Sequence, residues 1–181
     1  MAKFMISVII GGSGSGKSEY AENYILKLSK VNKSSLIYIA TMQPFDKETR
    51  IRIKKHQKMR EDKNFTTIEC YHGLGKVIIP PHSSILLECM SNLVANEMFS
   101  TDGAVSNTVE EILSGVEGLI HQSENLVIVT NNIFEDGISY DSTTLEYMKV
   151  LGQINQSICN RADQVIEVIH GIPMIGKKGK L

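Results

Sequence analysis

Residues 11–18 read Gly-Gly-Ser-Gly-Ser-Gly-Lys-Ser and fit G-x-x-x-x-G-K-[ST] at every position. An apolar, β-rich run, Phe4–Ile10, leads into them. A segment of helical periodicity, Glu19–Lys30, follows, with Tyr20, Tyr24, Ile25 and Leu28 on one face. Gly11, Gly12, Gly14 and Gly16 let the backbone turn sharply, and with Ser13 and Ser15 they aim successive N–H groups at one point. The start of the next helix adds partial positive charge. Such a loop grips the phosphates of a nucleoside triphosphate. Lys17 reaches the β- and γ-phosphates, and the Ser18 hydroxyl ligates Mg²⁺. The plainer reading, a glycine turn that binds nothing, is outweighed by the complete pattern in the right context. The motif leaves the base and the reaction open.

The rest of the chain alternates short apolar runs with helical segments. Further strands are expected over Ser35–Ala40, Thr66–Cys70, Ser84–Cys89, Leu126–Thr130 and Gln164–Ile169, the last of these closing the set. Further helices are expected over Lys47–Arg60, around Asn92–Phe99, over Asn107–His121 (weakened by Gly115 and Gly118) and over Leu145–Asn160. Strands that are apolar throughout, separated by helices, predict an α/β fold of the P-loop kind: a mostly parallel sheet with helices on both faces. Residues 1–181 read as one nucleotide-binding domain, with 175–181 a loose basic tail.

Net charge is -1, which argues against bulk nucleic-acid binding. Cys70, Cys89 and Cys159 have no metal spacing and read as reduced thiols of a cytoplasmic protein. No apolar stretch is long enough to span a bilayer.

Three further features bear on chemistry. Glu88 ends an apolar strand, where ligands bind in parallel sheets, and it is a candidate Mg²⁺ ligand with Ser18. The plainer alternative is an acid that caps the next helix near Ser91. Residues 47–63 hold eight of the nineteen Lys and Arg residues, either a positive wall beside a triphosphate or a solvated helix face. His56 lies within them, four residues after Arg52 and on the same face. Neighbouring cations keep its ring neutral at pH 7, which suits a nucleophile or base; an inert histidine is the commoner case. Asn-Lys-x-Asp, the guanine signature of switch GTPases, is absent, and Thr130-Asn131-Asn132-Ile133 is the nearest stretch.

These residues resemble the bifunctional adenosylcobinamide kinase/adenosylcobinamide-phosphate guanylyltransferases. Besides Ile9–Ser18, the likeness runs through Tyr38-Ile39-Ala40-Thr41, Asp46, Glu48 and Arg52-Ile53-x-x-His56. It continues in Thr67-Ile68-Glu69, Ile85–Cys89, Asn92-Leu93 with Asn96, Val129-Thr130-Asn131, Gly152–Gln156 and Ala162–Val165. The resemblance implies phosphorylation of a corrinoid hydroxyl by ATP or GTP, then transfer of GMP from GTP to that phosphate. The transfer passes through a GMP-histidine intermediate carried by the position of His56. It implies nucleotide contacts on the phosphate loop, near Arg60, and on the acids matching Glu69 and Glu88, and it implies a trimer. The chain departs from the family pattern at Gly14, where Arg is usual. It also has Asn132-Ile133-Phe134 for Glu-Val-Gly and Phe65 for Trp. No base for the kinase step is identifiable. A small-molecule kinase without a histidine intermediate and a non-catalytic nucleotide sensor remain the alternatives.

Overall fold

A computed structural model describes residues 4–134, 137 and 139–178. The elements are β1 (Met5–Gly11), α1 (Lys17–Asn32), β2 (Ser35–Ala40), α2 (Lys47–Arg60), β3 (Thr66–Glu69) and β4 (Ser83–Glu88). They continue with α3 (Met90–Phe99), α4 (Thr108–Gln122), β5 (Asn125–Asn131), α5 (Ser142–Arg161), β6 (Gln164–Ile169) and β7 (Ile172–Lys178). The sheet runs β3-β2-β4-β5-β1-β6-β7. All pairings are parallel except β6 with β7.

Side chains alternate across this sheet, and the alternation divides the core. Ile9, Tyr38, Leu86, Val127 and Val129 pack with Ala21 and Ile25 of α1 on one face. Val8, Ile37, Ile39, Ile85, Leu87, Leu126 and Ile128 pack on the other face with α3, α4 and α5. Both faces are covered, so the central strands are predominantly apolar, and their polar residues, such as Ser7, Ser84 and Thr130, are buried as well. Each fully buried Leu or Ile contributes about 1.5–3 kcal/mol. Gly115 sits inside α4 because a Cβ there would lie 2.7 Å from the Leu74 side chain.

The expected elements form, with ends shifted by a few residues. One expectation fails. Residues 175–178 are not a loose tail but the end of β7, an edge strand that closes the sheet; residues 179–181 lie outside the described residues. β7 returns through a two-residue turn at His170 (φ 48) and Gly171 (φ 80), the positive angles that a tight hairpin requires. Pro173 and an irregularity near Gly176 disguise the strand in the sequence, and both are tolerated at an edge. The hairpin also supports the phosphate loop, because the Gly171 N–H donates to the Ser15 carbonyl at 2.8 Å.

Gly11 is where the loop leaves β1, and an added Cβ would meet the Val168 carbonyl at 2.7 Å and Ser15 Oγ at 2.5 Å. Gly12 meets nothing within 4 Å. Gly11→Ala therefore lowers stability by about 1–3 kcal/mol, whereas Gly12→Ala stays within about 0.5 kcal/mol of the parent; urea unfolding measures both.

Candidate functional site

The loop after β1 turns through Gly14 (φ 72) and Gly16 (φ 87), and the Ser15 N–H closes the turn on the Gly12 carbonyl. Gly16 begins α1 without a side-chain cap, which leaves the first amides of the helix for an anion. Lys17 is 8% exposed, and its Nζ donates to the Gly12 carbonyl at 3.0 Å. Burial pushes its pKa down, against the opposing pull of Cys89 and Glu88. Ser18 Oγ donates to Glu88 Oε1 in a very short contact. Glu88 ends β4 and is buried, and among the described residues its Oε2 has no hydrogen-bond partner.

α2 forms the facing wall. Asp46 caps it by accepting from the Thr49 N–H at 2.7 Å. Thr49, Ile53, His56 and Arg60 recur at helical spacing as its more covered residues. His56 Nδ1 stands 3.6 Å from Glu88 Oε1 and has no hydrogen-bond partner among the described residues. Burial is the main cause that lowers the His56 pKa; Arg60, Lys55 and Lys17 add to it, and Glu88 opposes it. The ring is thus neutral at pH 7 as expected from sequence, although desolvation outweighs the cations. Arg60 is buried with its guanidinium 3.4 Å from the centroid of the Tyr38 ring.

One cleft of about 770 Å³ gathers the predicted site residues. Ser13, Gly14, Ser15, Gly16, Lys17, Ser18, His56, Arg60, Glu69 and Glu88 all line it, while Gly11 and Gly12 do not. Glu69 stands at the far end, at the tip of β3, where its carboxylate accepts from the Tyr71 hydroxyl at 2.8 Å. The basic wall is narrower than its sequence suggests. Arg50, Arg52, Lys54, Lys55 and Arg60 face the cleft, whereas Lys47 and Lys58 do not line it. Lys63 turns instead to Glu22.

Glu22 is the residue that sequence reasoning missed. It is fully buried, with Oε2 2.6 Å from Lys63 Nζ and Oε1 unpartnered among the described residues. Burial pushes its pKa up, against the pull of Lys63. The signal lay in α1, whose buried residues Lys17, Ala21, Glu22, Ile25 and Ser29 include an acid on the stripe that faces the core. Glu22, His56 and Glu88 each offer a ligand atom within 4.8 Å of the others. The oxygen donors Ser18 and Glu88, with an orphaned buried carboxylate oxygen, fit a hard cation such as Mg²⁺.

The departures from the family pattern are accommodated. A Cβ at Gly14 would meet nothing within 4 Å, so the loop lacks a side chain there without leaving a packing defect. Phe65 packs edge-on against Tyr38, and Phe134 lies over Gly152.

Lys63→Met strands the buried Glu22 charge and costs about 3 kcal/mol at pH 8. The carboxyl pKa in the fold is raised above its ordinary 4.5, so this destabilisation grows as pH rises above that value and is smaller at pH 5. Adding Glu22→Gln recovers at least half of the loss, read as the coupling in a double-mutant cycle by urea unfolding.

Residues 7–175 match the family described as cobinamide kinase / cobinamide phosphate guanyltransferase, CobU. The bifunctional adenosylcobalamin biosynthesis protein CobU of Escherichia coli (strain K12) is 29% identical over 182 residues, covering 93% of this chain and 97% of its own. The protein of the same description from Salmonella typhimurium (strain LT2) is 28% identical over 185 residues, again 93% and 97%. Two solved structures share the fold. The flagellar accessory protein FlaH of Methanocaldococcus jannaschii aligns with a TM-score of 0.52 at 13% identity, over 97% of this chain and 79% of that one. The second, an ATPase domain, aligns with a TM-score of 0.52 at 10% identity, over 95% of this chain and 79% of that one. A match that spans both walls of the cleft places this chain in the cobinamide kinase / cobinamide phosphate guanyltransferase family.

Proposed function

We propose that the protein phosphorylates adenosylcobinamide and then transfers GMP from GTP to adenosylcobinamide phosphate through GMP held covalently on His56. One observation carries the reading: the imidazole of His56 faces the phosphate loop across the same buried carboxylate, Glu88, that Ser18 touches. A triphosphate gripped by Lys17 presents its α-phosphorus to the imidazole.

In the first half-reaction a ring nitrogen attacks that phosphorus. The N–P bond forms, the bond to the β-phosphate oxygen breaks, and pyrophosphate leaves with the electron pair. Lys17, Arg60 and the loop amides offset the charge that develops on the leaving group. Mg²⁺ held by Ser18 and Glu88 would add Lewis-acid stabilisation to the same charge. Glu88 beside Nδ1 stabilises the positive charge that the ring acquires. In the kinase reaction the corrinoid hydroxyl takes the terminal phosphoryl group from the same loop.

Glu69 in the cleft lining supports the choice of guanine. Neighbouring strands lie about 4.8 Å apart, and the order β3-β2-β4-β5-β1 supports a reading in which the phosphates sit at the end of β1, the α-phosphorus near β4 and the base near β3. Glu69, at the last station, can accept from guanine N1–H and N2–H₂, donors that adenine does not present on that edge. The family resemblance carries a trimer, checked by sedimentation. The three free thiols support the cytoplasm.

Incubation with α-³²P-GTP and Mg²⁺ labels the protein with an acid-labile, base-stable bond, and His56→Ala takes up no label. Wild-type protein that binds GTP without acquiring label rules out the histidine intermediate and leaves the plain kinase. The His56 pKa lies below the ordinary 6.5, so the ring loses its proton below that pH. The labelling rate at pH 6.5 therefore remains above half of its plateau, and it falls only under more acidic conditions. Stopped time courses across pH measure this.

A further inference from the structure

The cleft has two walls, the phosphate loop on one side and His56 of α2 on the other, and in the proposed reaction the α-phosphorus of GTP would lie between them. Displacement at phosphorus runs in line, with attacking and leaving atoms on opposite sides. In the first step the ring attacks and pyrophosphate leaves into the loop. In the second step the bond that breaks is the N–P bond, so the acceptor must approach from the side opposite His56. That side is the phosphate loop, which pyrophosphate has just vacated. Arg50, Lys54 and Lys55 also line the cleft, but they stand on α2 itself, the helix that carries the leaving nitrogen. An acceptor phosphate held by them would come from the wrong side. Lys17 lies on the correct side, buried, with its ammonium anchored at the Gly12 carbonyl.

We infer that the phosphate loop serves twice in one transfer: its amides and Lys17 first hold the pyrophosphate of GTP and then, once that has left, hold the phosphate of the corrinoid acceptor. This rests on the histidine-intermediate reading. In the second step an acceptor phosphate oxygen bonds to the α-phosphorus and the N–P bond breaks. The electron pair returns to the ring nitrogen, and the dianionic acceptor gives up no proton. Pyrophosphate and the acceptor phosphate therefore exclude one another, and corrinoid phosphorylated at the loop must vacate it before GTP can bind there.

The test begins with ³²P-guanylylated protein freed of pyrophosphate by gel filtration. It is discharged with adenosylcobinamide phosphate over a range of concentrations, with or without sulfate, chloride holding the ionic strength. Sulfate at ten times its own dissociation constant raises the acceptor concentration for half-maximal discharge roughly tenfold and leaves the limiting rate unchanged. No effect of sulfate, or a lower limiting rate at constant half-saturation, overturns the shared site. A binding arm excludes sulfate acting at the α2 cations. In equilibrium dialysis, read by corrinoid absorbance, pyrophosphate displaces cobinamide phosphate but not cobinamide from wild-type protein. Lys17→Ala binds the two corrinoids with affinities within about twofold of each other, a near-neutral difference. A retained preference for the phosphorylated corrinoid in Lys17→Ala, or failure of pyrophosphate to displace it from wild type, overturns the inference. Should Lys17→Ala not fold, the wild-type displacement decides. Should wild type never take up label, the histidine intermediate falls while dialysis still tests the shared loop.

Discussion

Glu88 joins the two halves of the site. Its carboxylate accepts from Ser18 at the start of α1 and lies 3.6 Å from His56 on α2. It is 7% exposed, so its charge is largely out of water. A buried carboxylate costs several kcal/mol unless hydrogen bonds and opposite charge offset it. Ser18 does so by donating to it and Lys17 by its opposite charge, both from one wall of the cleft, while Lys63 pairs with the neighbouring Glu22. The orphaned oxygens of Glu88 and Glu22 leave that compensation incomplete, and a bound cation would complete it.

Behind Glu88 the backbone is held by a small polar network. Thr41 Oγ1 accepts from the Cys89 N–H at 2.7 Å and donates to the Cys89 carbonyl at 2.8 Å. Asn96 of α3 donates to the Thr41 carbonyl at 2.8 Å and to the Tyr71 carbonyl at 2.9 Å. The ends of β2, β3 and β4 are thus tied together at the C-terminal edge of the sheet, where the cleft opens. On the other flank of β1, the β6–β7 hairpin braces the loop through Gly171. The phosphate loop is tied down by backbone hydrogen bonds within itself and from the hairpin. Its α2 wall is mostly exposed, and of its residues only Arg60 is buried.

Much of this was legible in the chain. The phosphate loop is a local device whose geometry follows from four glycines and a lysine, so its position and role need no distant residue. The apolar strands announce a parallel sheet because residues buried on both faces cannot alternate with polar ones. β7 was not legible, because Pro173, Gly176 and uniformly exposed side chains remove the signals by which a strand is recognised. Glu22 was hidden for a related reason: an acid between two apolar turns reads as a surface residue until its partner, Lys63, is found 41 positions away.

By itself the sequence determined the phosphate-loop motif, the sheet class and the segment that carries His56, because each depends on neighbours within a few residues or on periodicity along one element. Only the tertiary structure decided that His56, Glu88 and Ser18 share one cleft, that Lys63 neutralises Glu22, and that burial more than nearby cations keeps the imidazole neutral. Those outcomes depend on which strand lies beside which, and on how much water their meeting excludes. Both are properties of the packed sheet and not of any stretch of chain.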